Sequence, residues 1–167
     1  AISGEMIGAI AITEPDSGSD VASLRTNAKV EGDGFRINGQ KLYITNGTQA
    51  DFFMLLALTE TNHKPSFSLF VVPGNAPGVV RSKSMSKTCY LSSDTAGITF
   101  DNVYVSRQHI VGDIGKGFKY QMEQFQHERL AGVVMALGMS KHAYQLTRDF
   151  ASERRSFGRT IAQHQAI

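Results

Sequence analysis

From residue 1 to about residue 106, apolar positions come in short alternating or continuous runs separated by Gly, Pro, Asn and Asp, the pattern of β-strands joined by turns. Ile7, Ala9, Ile10 and Ile12 supply a first strand, and Pro15, which lacks the N–H that a ladder needs, ends it. Residues 26–31 alternate, Gly32-Asp33-Gly34 turns, and residues 35–38 alternate again. Asn38-Gly39 predicts a hairpin, because a two-residue turn of this type needs positive φ at both positions, and residues 42–45 then form the next strand. Residues 52–58 are apolar throughout, as in a strand buried on both faces, and residues 66–72 and 96–105 add further strands. Many short strands with such turns predict a mainly β antiparallel barrel or sandwich.

The period changes after the glycine-rich run 112–117. From Phe118 onward, Met122, Phe125, Leu130, Val133, Val134 and Leu137 follow a helical stripe. The helical composition runs through Glu153-Arg154, with Gly138 as a kink point, an end near Phe157-Gly158, and a second helix from about Ala162. The expected division is therefore a β-domain over 1–111 and the first part of a helical domain over 112–167. With its first strand starting almost at once and its last helix interrupted at Ile167, the chain reads as an excerpt of a longer protein.

At 167 residues there is enough chain for one domain or one and a half. The formal charge of +2 and the scattered lysines and arginines argue against a nucleic-acid partner. Cys89 is the only cysteine, so no intrachain disulfide and no cysteine metal cluster is expected. The five histidines (63, 109, 127, 142 and 164) lack metal-ligand spacing, and His63 and His109 are expected in loops. There is no membrane-spanning apolar run and no leader-like start.

Three places carry candidate chemistry. After Pro15, the run Ser17-Gly18-Ser19 is either a plain turn or a loop whose glycine, hydroxyls and amides receive a dinucleotide pyrophosphate. Tyr43 and Thr45 are either a core tyrosine with a strand-end threonine, or an aromatic covering a flavin ring with a hydroxyl at its polar edge. On the helix, Arg129 falls within the apolar stripe, where a charge is costly unless paired or bound to a ligand, and Glu128 lies at its edge one turn before Gly132. The plainer alternative there is a solvated Glu-Arg pair. Arg154-Arg155-Ser156-Phe157-Gly158 is likewise readable as an ordinary basic helix end.

Across nearly all of its length the chain resembles the acyl-CoA dehydrogenase family. Ala11-Ile12-Thr13-Glu14-Pro15-Asp16-Ser17-Gly18-Ser19-Asp20 resembles the family's first flavin signature, and Gln40-Lys41-Leu42-Tyr43-Ile44-Thr45-Asn46-Gly47 its second, with Tyr43 where tryptophan is common. Gln126-His127-Glu128-Arg129-Leu130 resembles the long-chain and isovaleryl branches, which place the catalytic glutamate on this helix immediately before an arginine. The segments 154–158 and 164–167 resemble a third element that reaches a neighbouring subunit's FAD. Cys89-Tyr90-Leu91 departs from the usual Gly-x-Arg turn, and Ser106 stands where proline is usual.

The resemblance implies FAD as cofactor, held by Ile10, Ile12, Thr13, Gly18, Ser19, Tyr43, Ile44, Thr45, Arg154, Ser156, Phe157 and Gln165. It implies Glu128 as catalytic base, with Ser19, Ser93, Gln126 and Arg129 toward an acyl-CoA substrate. The implied reaction is α,β-dehydrogenation to the trans-2-enoyl-CoA, and the 167-residue chain alone is expected to be inactive. An acyl-CoA oxidase, a flavin monooxygenase or a non-catalytic module are the alternatives. An electron-transferring flavoprotein partner, a homodimer or homotetramer, and a bacterial cytoplasmic or eukaryotic mitochondrial-matrix location are implied as well.

Overall fold

The computed structural model describes residues 2–61 and 64–167; the expectation for His63 lies outside the described residues. The chain divides into two compact units, one ending at Met122 and the other comprising Glu123–Ile167. The first is built on one eight-stranded sheet. Its strands are β1 (Gly8–Ala11), β2 (Asn27–Glu31), β3 (Gly34–Thr45), β4 (Phe52–Thr61), β5 (Lys64–Pro73), β6 (Val79–Arg81), β7 (Thr95–Ser106) and β8 (Ile110–Val111). The spatial order is β6-β7-β3-β2-β4-β5-β8, with β1 paired to β4 off this path.

The sheet is open and does not close into the barrel that the strand count suggested, because β6 and β8 end it without pairing to each other. It is also not purely antiparallel. β1 runs parallel to the first half of β4 (Gly8↔Phe52 to Ala11↔Leu55), and β2 meets β4 in parallel at Asn27↔Leu58. The chain thus leaves the edge of β4 after Ala11 and returns to the same edge at Asn27, and everything between is an excursion from the sheet.

Alternation places Phe35, Ile37, Phe53, Leu55, Ala57, Phe70, Val72, Ile98, Phe100 and Val103 in one core. Phe35 on β3 meets Phe70 on β5 edge-on at 5.2 Å, and Phe53 on β4 meets Phe100 on β7 at 5.9 Å. These partners are not neighbours in the sheet, so the sheet folds over its own apolar face, as a sandwich does. Leu56, between the inward residues Leu55 and Ala57, is also fully buried, so the middle of β4 is covered on both faces as its apolar run predicts.

Asn38-Gly39 does not turn the chain. β3 continues through it, because β7 pairs with both halves of β3. Gly39 has φ +152, and a Cβ there would collide with Thr26 at the start of the return to β4. The close approach of two backbones, rather than a hairpin, demands the glycine.

Helix α1 (Gly117–Glu153) starts in the first unit and runs on without a break at Gly138. It ends before Arg154 rather than at Phe157-Gly158. The chain then forms a small hairpin of β9 (Arg155–Ser156) and β10 (Arg159–Thr160), so Ala162 lies in a single turn of 3-10 helix, Ile161–Gln163, and starts no second α-helix. Phe157 (φ +52) and Gly158 (φ +79) make the tight turn with both central residues at positive φ, the geometry expected earlier for Asn38-Gly39. His109 closes another 3-10 turn, Arg107–His109.

Candidate flavin and acyl-CoA site

Pro15 and Asp16 form the tip of a narrow turn, closed by Glu14 N–H to Ser17 O (2.7 Å) and Ser17 N–H to Glu14 O (3.2 Å). Ser17 is buried and its hydroxyl donates to Asp20 O at 2.6 Å, so it serves the loop itself and is withdrawn from the phosphate role considered for it. Gly18 and Ser19 are exposed. An added Cβ at Gly18 would meet only Thr13 Cγ2, at 3.7 Å, and its φ is outside the left-handed region, so its missing side chain leaves open surface rather than relieving a clash.

At the base of the excursion lies a buried ion pair. Lys41 Nζ donates to Glu14 Oε1 and to Ile12 O, both at 2.9 Å, with the lysine side chain fully buried and the glutamate nearly so. The same carboxylate accepts Thr26 N–H at Oε1 (2.9 Å) and Arg25 N–H at Oε2 (2.7 Å), joining the outgoing and returning limbs. Burial by itself would raise Glu14, but the hydrogen bonds from Thr26 and Arg25 and the charge and hydrogen bond of Lys41 outweigh it and hold the carboxyl below its usual range. Lys41 is pushed down to about 8 by burial, against the opposing pull of Glu14, since only two acceptors replace the water around its ammonium. Beside the pair, Leu42 N–H donates to Thr13 O at 2.8 Å.

The second loop owes its shape to a bulge. Between Lys41↔Ile98 and Ile44↔Ala96, β3 carries one residue more than β7, and Tyr43 adopts φ +58 there. The extra residue resets the alternation, so Lys41 and Ile44 both face inward while Tyr43 (65% exposed) and Thr45 both face out. Ile44, 2% exposed, offers a ligand only its backbone. Asp94 ties this loop to the segment holding Ser93: its carboxylate accepts Thr48 N–H (2.7 Å) and the Gln49 side-chain amide (2.8 Å). Burial would raise Asp94, but these bonds hold it below the usual range.

Among the described residues, the hydroxyls of Thr13, Ser19 and Thr45 have no intrachain hydrogen-bond partner, and Tyr43 stands beside Thr45 on the outward face. That donor set suits the polar edge and the ring of a flavin. The surface is open: clefts of about 730 and 400 Å³ lie along β2–β4 and beneath Glu14, and neither is lined by Tyr43 or Thr45. Ile10 is 40% exposed and Ile12 is buried.

The remaining candidates lie in Glu123–Ile167. The register of Phe125, Arg129 and Val133 holds, but the face is not buried: Arg129 is exposed and its guanidinium lies over the Phe125 ring at 5.8 Å, since nothing within this unit packs against the stripe. Gln126 and Glu128 are exposed too, and Gly132 has open space around it. In the hairpin Phe157 is 96% exposed, Arg154 is exposed and Ser156 half-buried. Arg155 donates to Gly158 O at 3.0 Å, and the His164 ring sits edge-on to Phe157 and within hydrogen-bonding distance of Arg159. Gln165 is exposed.

So Thr13, Tyr43, Thr45 and Ser93 come together through the Thr13–Leu42 bond and the pairing of Thr45 with Thr95. The sequence reading passed over Glu14 and Lys41. The signal was there: Lys41 continues the inward alternation Phe35, Ile37, Gly39, which makes it a buried cation in need of a partner.

Residues 9–103 match the family model for the acyl-CoA dehydrogenase middle domain, and residues 115–167 match that for the C-terminal domain. The long-chain specific acyl-CoA dehydrogenase of Sus scrofa mitochondria is 35% identical over 98% of this chain and 39% of its own length. An acyl-CoA dehydrogenase of Bacillus subtilis is 38% identical over 99% of the chain and 44% of its own. The crystal structure of a probable acyl-CoA dehydrogenase from Mycobacterium abscessus superposes with a TM-score of 0.94 at 40% identity, covering 99% of this chain and 44% of that one. The chain thus spans well under half the length of these relatives. With both family models matched in order along it, the chain belongs to the acyl-CoA dehydrogenase family.

Proposed function

We propose that these residues work within an FAD-dependent acyl-CoA dehydrogenase that converts an acyl-CoA thioester to its trans-2-enoyl-CoA. The observation that carries the reading is the Leu42 N–H to Thr13 O bond, which joins the loop 13–19 to the bulged segment of β3 that carries the outward Tyr43 and Thr45. Residues 1–111 hold the flavin and the acyl-CoA, and residues 112–167 begin a helical domain.

Thr13, Ser19, Tyr43 and Thr45 would hold FAD with their side chains, and Ile10, Ile12, Gly18 and Ile44 with their backbones. FAD held there would supply the two-electron acceptor for the β-hydride, with an electron-transferring flavoprotein as the onward electron acceptor. Glu128 accepts the α-proton at its carboxylate, while Ser19, Ser93, Gln126 and Arg129 orient the acyl-CoA. Hydrogen bonds to the thioester carbonyl acidify the α-carbon. Arg154, Ser156, Phe157 and Gln165 serve the FAD of a neighbouring subunit in a dimer or tetramer. In a bacterium this enzyme works in the cytoplasm, in a eukaryote in the mitochondrial matrix.

Glu128→Gln in the full-length protein tests the reading. The amide keeps the shape but cannot take the proton, so bleaching of the flavin by acyl-CoA in stopped flow is expected to slow about 10²–10⁴-fold, with FAD content unchanged. Bleaching at the parent's rate would place the base elsewhere.

A further inference from the structure

We propose that Glu14 and Lys41 are positioning residues for the flavin: their buried pair sets the spacing of the two loops that receive it. The inference rests on the flavin reading above. One carboxylate and one ammonium concentrate four hydrogen bonds at a single point. Glu14 joins the outgoing limb of the excursion to the returning limb through Arg25 N–H and Thr26 N–H. Lys41 joins that limb to β3 through Ile12 O and Glu14 Oε1. Thr13 lies between the two acceptors of Lys41 along the chain, and Tyr43 and Thr45 come two and four residues after Lys41 on β3.

Neither charge reaches the outward surface, so neither touches the flavin. A well-packed apolar pair would fill the same volume without the desolvation cost of two buried charges. What apolar side chains cannot supply is direction. The ammonium orients the Ile12 carbonyl, and the carboxylate orients two amides across the loop base, which fixes how Thr13 presents itself to the surface of Tyr43 and Thr45.

The test compares the full-length protein with Lys41→Met and with Glu14→Gln/Lys41→Met. Tm is measured on the apoproteins, so that FAD linkage does not enter it. FAD affinity comes from quenching of flavin fluorescence, and flavin geometry from visible circular dichroism. Lys41→Met alone strands a buried carboxylate and is expected to lower Tm. The double variant removes both charges and recovers most of the Tm, yet should still bind FAD about tenfold or more weakly, with an altered visible dichroism.

A double variant whose FAD affinity and dichroism return together with its Tm would overturn the inference and leave the pair a stabilising contact only. A parent protein that binds no flavin would overturn the flavin reading and the inference with it.

Discussion

Tyr43 shows how one residue sets a surface at a conformational cost. At φ +58 an aromatic side chain gives up about 1–2 kcal/mol relative to ordinary backbone, and the return is a ring aimed outward from within a strand. Glu14 is the complementary case, a polar group turned inward. Its folded carboxyl titrates below the usual value of 4.5, so the stabilisation it brings is complete at neutral pH and is lost as pH falls through the folded value. The urea midpoint is therefore expected to drop as the pH is lowered from about 6 to about 3, and to drop less steeply in Glu14→Gln/Lys41→Met. Equal pH slopes would show that other carboxylates govern acid unfolding. Part of the layout was legible: of the two readings of Tyr43 and Thr45, the structure takes the outward one, with Thr13 O bonded to Leu42 N–H beside them. The pair beneath them was not, because Glu14 and Lys41 lie 27 residues apart and only the fold brings them together.

At the level of elements, the strands were legible wherever alternation was unbroken, and misread where a partner strand overrode a local signal. Asn38-Gly39 carries strong turn chemistry, yet β7 pairs on both sides of it and bulges at Asn102 (φ +53) to stay in register. Nothing near residue 38 encodes a strand some sixty positions later. Gly39→Ala is expected to destabilise by about 1–3 kcal/mol, because the new methyl group meets Thr26 and pushes β3 off the start of β2. Unchanged stability in urea denaturation would mean the two backbones have room to part. The helix was legible in period but not in its end: the positive φ of Phe157 belongs to a hairpin turn, and a basic run followed by glycine looks the same at a C-cap.

On the scale of the whole molecule, the chain carries apolar surface that it does not cover. Leu130, Val133 and Leu137 are each more than 60% exposed on α1, and Phe157 stands almost free. The residues assigned to a neighbour's FAD are thus presented outward. The 167-residue chain alone is expected to bind FAD weakly or not at all; tight stoichiometric binding by a monomer, read from flavin fluorescence, would contradict that arrangement. The sheet raises a different issue. Because it stays open, it has two margins with unpaired backbone groups, and an open margin is a template on which another chain can add a strand and start a fibre. Here the last strand on one side is three residues long and on the other two. These short strands pair with only Ile98–Phe100 of the twelve-residue β7 and with only Leu69 and Phe70 of the ten-residue β5, so the protection against strand addition that a closed barrel has throughout is here only partial.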